Sequence, residues 1–336
     1  MCLRQLGKGD PLVSDAVWIC WERQRRNREL ASALGIPLHE FKHVGETRRR
    51  GVKYLRGLAS TTRLLLEKRP RLIIAMNPSI VLAVFCVTIG RIFPPRVFID
   101  AHNSGLCPLE GRNRVLNFLA RYVMRHADLT IVTNEGLREL VETNGGRVVV
   151  LPDRLPGMGV GRVPKLRGRH NLVFICTYAA DEPWAEVIDA ARLLPDDWVV
   201  YITGNFARVG LDPSGVPPNL ELTGFLGEED FVGLLEASDA ILDLTTREHC
   251  LVCGAYEALS LGKVAVLSDT EALRSYFGDV AIMTRHTPEE LASAMRQAVS
   301  ERIQRERTLS KFRCDMELSW RERFEDLHTA TVDRSS

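Results

Sequence analysis

The chain has 336 residues, of which 45% are hydrophobic and 26% are charged, and its formal net charge is +1. This length predicts two domains, and the composition is typical of a soluble globular protein. The near-neutral total hides two oppositely charged halves. Residues 1–155 hold 25 Lys and Arg against 14 Asp and Glu, whereas residues 156–336 hold 19 against 29. The basic half predicts a phosphate-bearing partner or an anionic membrane surface, unless the two halves attract each other across a cleft.

The eight cysteines are scattered and form no dense framework, and the N-terminus lacks the apolar core of a signal peptide. We therefore expect free thiols in a reducing cytoplasm. Cys250 and Cys253, beside His249, have the spacing of a metal or redox fragment, but no second pair lies nearby, so we expect no metal. The longest apolar run, residues 80–89, is too short to span a bilayer and predicts a buried helix or one lying on lipid.

The first half alternates strands and helices after a leader, residues 1–15, that lacks periodicity and is expected to be flexible. Its strands are predicted at residues 16–20, 38–41, 71–75, 96–100, 129–133 and 148–151. His102 and Asn103 follow the fourth strand at its carboxyl end, where ligand-facing residues collect. Arg23, Arg25 and Arg26 crowd the turn after the first strand. They predict a site for an acceptor phosphate or lipid headgroup, and a solvated basic face is the alternative.

The second half repeats the alternation after a proline- and glycine-rich break that we interpret as an interdomain linker. Its strands are predicted at residues 171–176, 198–203, 220–223, 240–244, 264–267 and 281–283. A charged helix over 302–327 ends the chain. Two successive arrays of this kind predict two Rossmann-like domains that face each other across a cleft. No GxGxxG sequence follows the first strand, which argues against NAD or FAD.

The central stretch of the second half, residues 242–269, reads as strand, loop, helix and strand. The helix is expected to open near Gly254 and Ala255 and to end at Gly262. A helix N-terminus at the carboxyl end of a strand suits an anion, because its free N–H groups and its dipole point at the ligand. We interpret this loop as the site for the diphosphate of a nucleotide-sugar.

Four segments in this order resemble the GT-B glycosyltransferases of the large retaining family 4. They are HADLTIVTNEGLRELVETNGGRVVVLPDRLP at the end of the first half, TGFLGEEDFVGLLEASDAILDLTT, GAYEALSLGKVAVLSD, and Ser319-Trp320 in the tail. The resemblance covers residues 16–327. It implies an α/β fold of two Rossmann-like domains, GT-B, whose C-terminal helix crosses back to the N-domain. The implied divisions are an acceptor-binding domain (1–155), a linker (156–170), a donor-binding domain (171–300) and the tail (301–336).

The resemblance also implies roles for individual residues. Glu257 matches the second of the family's paired glutamates, which binds the donor ribose, and a carboxylate suits a vicinal diol. The first glutamate's position holds His249, with Glu248 beside it, and this is a departure from the family pattern. His102 matches the histidine that faces the donor sugar. The remaining donor candidates are Gly254 and Ala255 at the diphosphate, Phe225 at the base, and Thr177 and Asn205 at strand ends. The alternative roles are structural, with Glu257 as a capping carboxylate and His102 as a packing histidine.

A second departure is the loop 177–183, which lacks the family's diphosphate-binding cations. Arg247 is expected to supply the guanidinium that stabilises the leaving group. The resemblance implies transfer of a hexose, with retention, from a nucleotide diphosphate sugar to a glycan or polyprenyl-diphosphate-linked acceptor, without an obligatory metal. We expect a cytoplasmic protein at the inner face of the membrane and no nucleic-acid partner. Two alternatives stay open, a non-catalytic GT-B partner subunit and a nucleotide-sugar 2-epimerase.

Overall fold

The computed structural model describes residues 15–22, 24–41, 50–77 and 79–332. The chain divides into two compact units. The N-terminal unit comprises the chain up to Asp153 together with the segment from Trp320 onward, and the C-terminal unit comprises Arg154–Ser319. The expected leader, residues 1–15, lies outside the described residues except for Asp15.

The N-terminal unit is built on a six-stranded parallel sheet in the order β2-β1-β3-β4-β5-β6. Its helices connect successive strands, and the inner strands are buried along their length, as expected for a parallel sheet covered on both faces. The elements are β1 (Ala16–Cys20), α1 (Arg25–Leu34), β2 (Leu38–Glu40), α2 (Arg50–Lys68), β3 (Leu72–Asn77), α3 (Ile80–Ile92), β4 (Arg96–Ala101), α4 (Asn103–Leu106), α5 (Arg114–His126), β5 (Leu129–Val132), α6 (Glu135–Thr143) and β6 (Val148–Val150).

The C-terminal unit has a second six-stranded parallel sheet, in the order β12-β11-β10-β7-β8-β9. Its core is apolar, with Phe174 and Phe277 among the largest buried side chains. The elements are β7 (His170–Phe174), α7 (Trp184–Ala191), β8 (Trp198–Thr203), β9 (Leu220–Gly224), α8 (Glu228–Ala237), β10 (Ala240–Asp243), α9 (Cys253–Ser260), β11 (Val264–Ser268), α10 (Glu271–Phe277), β12 (Ile282–Thr284), α11 (Pro288–Ser300) and α12 (Arg302–Val332).

The last helix, α12, contributes to both cores. Leu309 is buried in the core of the C-terminal unit. Trp320, Phe324 and Leu327 are buried against α1 and the strands of the N-terminal sheet, and the indole N–H of Trp320 donates to the carbonyl of Pro152 at 3.1 Å. The tail predicted at 301–336 thus divides in the structure near residue 320. The fold class expected from the sequence, two Rossmann-like α/β units, is confirmed by the two sheets.

Both sheets reverse their direction of growth beside their first strand. In the N-terminal unit the reversal lies between β1 and β3, and in the C-terminal unit it lies between β7 and β10. In open parallel sheets the crevice at the carboxyl end of such a pair is where ligands bind. Each unit therefore offers one crevice of this kind. Among the described helices, none combines the length and the apolar character that a membrane span needs.

Candidate functional site

The loop after β7 forms one wall of the crevice in the C-terminal unit, and its backbone N–H groups bind a carboxylate of the same loop. The Glu182 carboxylate accepts the N–H groups of Thr177 at 2.8 Å and Ala179 at 2.9 Å, and also the Thr177 hydroxyl at 2.9 Å. Tyr178 between them has a left-handed backbone, with φ of 58°. Successive N–H groups that converge through a left-handed residue make an anion-binding concavity. The loop 177–182 is therefore an anion site that Glu182 fills.

The loop after β8 brings a cation to the same place. Arg208 Nη1 donates to the carbonyl of Thr177 at 3.3 Å. The turn that carries Arg208 is capped by Asn205, whose side chain accepts the N–H of Ala207 at 3.2 Å. Gly204, with φ of 90°, lets the two loops touch, since a Cβ there would lie 2.1 Å from the Cys176 carbonyl oxygen. Arg208 was not predicted as a site residue, although its position as a basic residue after the neighbouring strand was the available signal.

The other wall of the crevice is the N-terminus of α9, which begins at Cys253, one residue before the predicted start. The Asp243 carboxylate, at the end of β10, accepts the N–H of Gly254 at 2.6 Å. A Cβ at Gly254 would lie 2.5 Å from the same oxygen, so glycine is required here. The N–H of Ala255, next in this turn, forms no hydrogen bond with the described part of the chain. Ala255 is fully buried, so this N–H is a buried donor at the base of the crevice.

Asp243 is a buried acid in an acidic neighbourhood. Burial raises its pKa well above the ordinary value, and the nearby carboxylates of Glu182, Glu257 and Asp181 raise it further, while the N–H of Gly254 acts in the opposite direction. A raised pKa favours the neutral acid at the base of the crevice. A neutral Asp243 repels an incoming anion less than a carboxylate would.

Arg247, the cation expected to stabilise the leaving group, lies at this crevice and forms an ion pair with Asp181. Its Nη2 lies 3.2 Å from one carboxylate oxygen of Asp181, and the other oxygen accepts the Thr245 hydroxyl at 2.8 Å. Asp181 is buried. The side chain of Arg247 is 38% exposed. An anionic ligand would therefore compete with Asp181 for this guanidinium.

Glu248 and His249, the catalytic candidates of the second half, differ in exposure. The exposed Glu248 carboxylate accepts the N–H of Glu271, the first residue of α10, at 2.5 Å, and so caps that helix. His249 is half-buried in the same loop. Glu257 is half-buried in the second turn of α9, near Asp243. Phe225, after Gly224 at the end of β9, is 86% exposed. The roles assigned to these residues stay predictions, and the geometry of Glu248 favours a structural one.

The crevice of the N-terminal unit differs from that of the C-terminal unit, because several buried polar groups there have no partner among the described residues. Asn77, at the end of β3, is fully buried, and neither polar atom of its side chain has a hydrogen-bond partner in the described residues. Ser79 Oγ and His102 Nε2 are likewise buried, and nothing in the described part of the chain forms a hydrogen bond with them. The backbone N–H of His102 donates to the Asn77 carbonyl at 2.9 Å. A Cβ at Gly105 would lie 2.4 Å from Asn77 Cγ. Buried polar atoms of this kind carry a desolvation penalty that a hydrogen-bonding ligand would relieve.

His102 was predicted as a site residue from the sequence. Asn77 was not, although its position at a strand end was the available signal. Asn103 opens α4 and is half-buried beside His102. Arg25 pairs with Glu29 at 2.8 Å. Arg23 lies outside the described residues.

Arg26 is buried and fully engaged. Its guanidinium donates to Asp100 at 3.1 Å, to Asp153 at 2.7 Å and to the Leu151 carbonyl at 2.8 Å. Its acceptor role stays a prediction, and these bonds favour a structural role that ties α1 to β4 and β6.

No group of three or more His, Cys, Asp or Glu side chains in the described residues has the arrangement of a metal site. Cys250 is half-buried and Cys253 is exposed. The expectation that no metal is required stays a prediction.

Comparisons with known proteins identify relatives of the chain. Residues 11–154 match the family model described as "Glycosyl transferase 4-like domain". The comparison with curated proteins found no match. Anabaena HepE in complex with UDP has a TM-score of 0.64 and 13% identity, over 95% of this chain and 96% of that one.

Two further solved structures are similar over both units. Sucrose-phosphate synthase from Thermosynechococcus elongatus has a TM-score of 0.67 and 12% identity, over 94% and 96% of the two chains. An E. coli trehalose-6-phosphate structure bound with UDP-2-fluoro glucose has a TM-score of 0.62 and 13% identity, over 85% and 79%. At these identities the likeness shows the fold.

Proposed function

We propose that this protein, a GT-B chain whose residues 11–154 form a glycosyl transferase 4-like domain, is a hexosyltransferase that uses a nucleotide diphosphate sugar. The fold is confirmed, and the family model over residues 11–154 supports the resemblance drawn from the sequence. The observation that carries the proposal is the anion-binding concavity after β7, which lies at the strand reversal of the C-terminal sheet. HepE structures contain UDP and UDP-glucose, which supports a UDP-sugar as the donor.

The donor would lie along the carboxyl edge of the C-terminal sheet. Its diphosphate replaces the Glu182 carboxylate at the loop 177–182 and receives the N–H of Ala255, while Arg208 supplies a positive charge. Glu257 accepts the ribose hydroxyls, and the exposed ring of Phe225 lies against the base. Fixed N–H donors and a guanidinium stabilise the negative charge that develops as the nucleoside diphosphate leaves.

The acceptor would lie at the carboxyl edge of the N-terminal sheet, where Asn77 and His102 hold buried polar atoms that no described residue satisfies. In the reaction, the bond between the anomeric carbon and the phosphate oxygen breaks. A new bond to an acceptor hydroxyl forms on the same face of the sugar, and the hydroxyl proton leaves with the nucleoside diphosphate. A glycan on a polyprenyl-diphosphate carrier is the proposed acceptor, reached at the inner face of the membrane through the basic N-terminal unit.

Calorimetric titration with UDP, GDP and dTDP tests the donor site. We expect UDP to bind without added metal, and Glu257→Ala to weaken its affinity about ten- to hundredfold, because a hydrogen-bonded charged group contributes about 1.5–3 kcal/mol. The melting temperature should not change. Glu236→Ala, in the last turn of α8, is the matched control and should keep the affinity of the unaltered protein. Unchanged affinity in Glu257→Ala would remove the ribose assignment.

A second candidate function is a non-catalytic GT-B subunit. The observation that favours it is that two anion-binding positions, the loop 177–182 and the Gly254 N–H, are already filled by Glu182 and Asp243. A protein that no longer binds a diphosphate would tolerate such carboxylates. If none of the three nucleotides binds, the transferase proposal fails and this candidate replaces it.

A further inference from the structure

An apolar pocket opens at the amino edge of the N-terminal sheet, the edge opposite the carboxyl-edge crevice. It lies between the C-terminal turns of α2 and α3 and has a volume of about 520 Å³, within the about 300–1,000 Å³ of pockets that enclose a ligand. Its walls are aliphatic and aromatic. The main lining residues are Leu65, Leu66, Ile73, Phe85, Ile89 and Phe93.

The mouth of the pocket is also apolar. Leu66 is 70% exposed and Phe93 is 56% exposed, and Ile92, next to Phe93, is 69% exposed. Burying apolar surface is favourable by about 25 cal/mol per Å², so a ring of such side chains around an apolar pocket favours contact with hydrocarbon. Exposed apolar side chains that cluster in this way mark an interaction surface.

Two arginines on the pocket rim add charge. Arg69 and Arg71 flank Pro70 where the chain passes from α2 to β3, and both are exposed. Arg71 lies 3.6 Å from the exposed Asp15, whereas Arg69 forms no ion pair with the described part of the chain. An apolar pocket bordered by guanidinium groups is complementary to a molecule with a hydrocarbon chain and an anionic headgroup.

The backbone of Arg69 is a second, independent observation. Arg69 has φ of 44°, a left-handed conformation at the end of α2, where glycine or asparagine is usual. A side chain with a Cβ costs about 1–2 kcal/mol in this conformation. Residues held in such conformations concentrate at binding sites. The left-handed backbone of Arg69 at the rim therefore costs stability.

We propose that this pocket binds one acyl chain of an anionic membrane phospholipid, with the lipid phosphate at Arg69 and Arg71 and the apolar mouth against the bilayer. The proposal names a site for the membrane partner proposed above and rests on that part of the proposed function. It does not depend on sugar transfer, because the pocket lies at the opposite edge of the sheet from the acceptor crevice.

Photo-crosslinking of the full chain tests the proposal directly. The probe is phosphatidylcholine vesicles containing phosphatidylglycerol, part of which carries a diazirine near the end of one acyl chain. We expect mass spectrometry to find crosslinks at Leu66, Phe85 or Ile89. Ile89→Trp, which fills the pocket, should abolish them. Leu66→Asp, at a position too exposed to affect folding, should also abolish them.

Vesicle flotation tests the role of the two arginines. Arg69→Gln with Arg71→Gln should weaken binding to the phosphatidylglycerol vesicles about 30-fold, because each arginine near an anionic surface contributes about a fivefold affinity. The matched control, Arg121→Gln with Arg125→Gln, removes the same charge from exposed positions on α5 and should change the affinity much less.

Three outcomes would overturn the proposal. Salt-sensitive vesicle binding with no crosslink in the pocket would leave the membrane association standing and remove the pocket. Equal losses of vesicle affinity in the two double arginine variants would show a non-specific charge effect. A dimer that Leu66→Asp dissociates, without crosslinked lipid, would assign the surface to a second copy of the chain.

Discussion

The carboxyl edges of the two sheets hold their polar groups in opposite states. At the C-terminal edge, Glu182 and Asp243 fill backbone donors that an external anion would use. At the N-terminal edge, Asn77 and His102 bury polar atoms that no described residue satisfies. A filled donor stabilises the free protein and must be vacated for a ligand, whereas a buried polar atom without a partner destabilises the free protein and gains energy from a ligand. The stability of the two units should therefore respond to mutation with opposite signs.

The largest effect is expected at Arg26, a buried charge of the N-terminal unit that is fully hydrogen-bonded. Arg26→Ala leaves the buried Asp100 without its partner and should destabilise the protein by about 3–5 kcal/mol. Urea unfolding monitored by circular dichroism measures this loss. Arg25→Ala, one residue away and exposed, is the control and should change stability by less than about 1 kcal/mol. Nearly equal losses would contradict the structural role of Arg26.

Asn77 should show the opposite behaviour. Asn77→Leu replaces unsatisfied polar atoms with an apolar side chain of similar shape, and should stabilise the free protein by about 1–2 kcal/mol because the desolvation penalty disappears. Sugar transfer should fall at least about tenfold, since the acceptor loses a hydrogen-bonding partner.

Thr130→Val is the matched control for Asn77→Leu. Thr130 in β5 is also fully buried with an unsatisfied hydroxyl, but it lies inside a strand and away from the crevice. Its replacement should stabilise the protein in the same way and leave transfer unchanged. If Asn77→Leu is stabilised and fully active, the N-terminal edge is not the acceptor site.

The sequence predicted the strands within a few residues, because buried parallel strands read as uninterrupted apolar runs between polar loops. It also located both crevices, since the alternation of strands and helices fixes which loops lie at the carboxyl edge. It could not predict which groups pair there. Glu182 folds back on its own loop, Asp243 reaches the turn of α9, and Arg208 comes from the neighbouring strand. These three contacts depend on how the loops pack in the folded unit, and a local sequence pattern does not predict that packing.

Removing the Glu182 carboxylate tests whether the backbone N–H groups that it occupies at the C-terminal edge bind the donor phosphates. Glu182→Ala frees the N–H groups of Thr177 and Ala179 and removes a negative charge from the proposed diphosphate site. We expect UDP to bind about tenfold more tightly, which corresponds to about 1.4 kcal/mol. Calorimetry measures the change. Glu186→Ala, in the first turn of α7, removes an equal charge close by in sequence and serves as the control. Unchanged affinity in Glu182→Ala would mean that the phosphates do not bind at this loop.

The smallest effect concerns the protonation of Asp243. Its pKa is raised by burial, so between the ordinary carboxyl pKa of about 4 and the raised value the folded state binds more protons than the unfolded chain. The free energy of unfolding therefore falls as the pH rises through this window. Asp243→Asn does not titrate and keeps an oxygen for the Gly254 N–H. The variant should match the unaltered protein near pH 4 and exceed its stability by about 1 kcal/mol at pH 8, or about 2–4 °C in Tm.

The control for Asp243 is Asp212, whose pKa is lowered by the backbone N–H and then the hydroxyl of Ser214. Its contribution to stability is present above the ordinary pKa of a carboxyl and is lost as the pH falls, so Asp212→Asn should act in the opposite direction. Melting curves of both variants from about pH 2 to pH 8 separate the two signs, because Asp212 titrates below the ordinary carboxyl pKa and Asp243 above it. A UDP affinity that falls as the pH rises through the same window would link the neutral Asp243 to the diphosphate, because only its ionised form repels that ligand. A stability difference independent of pH would show that Asp243 is ionised in the folded protein.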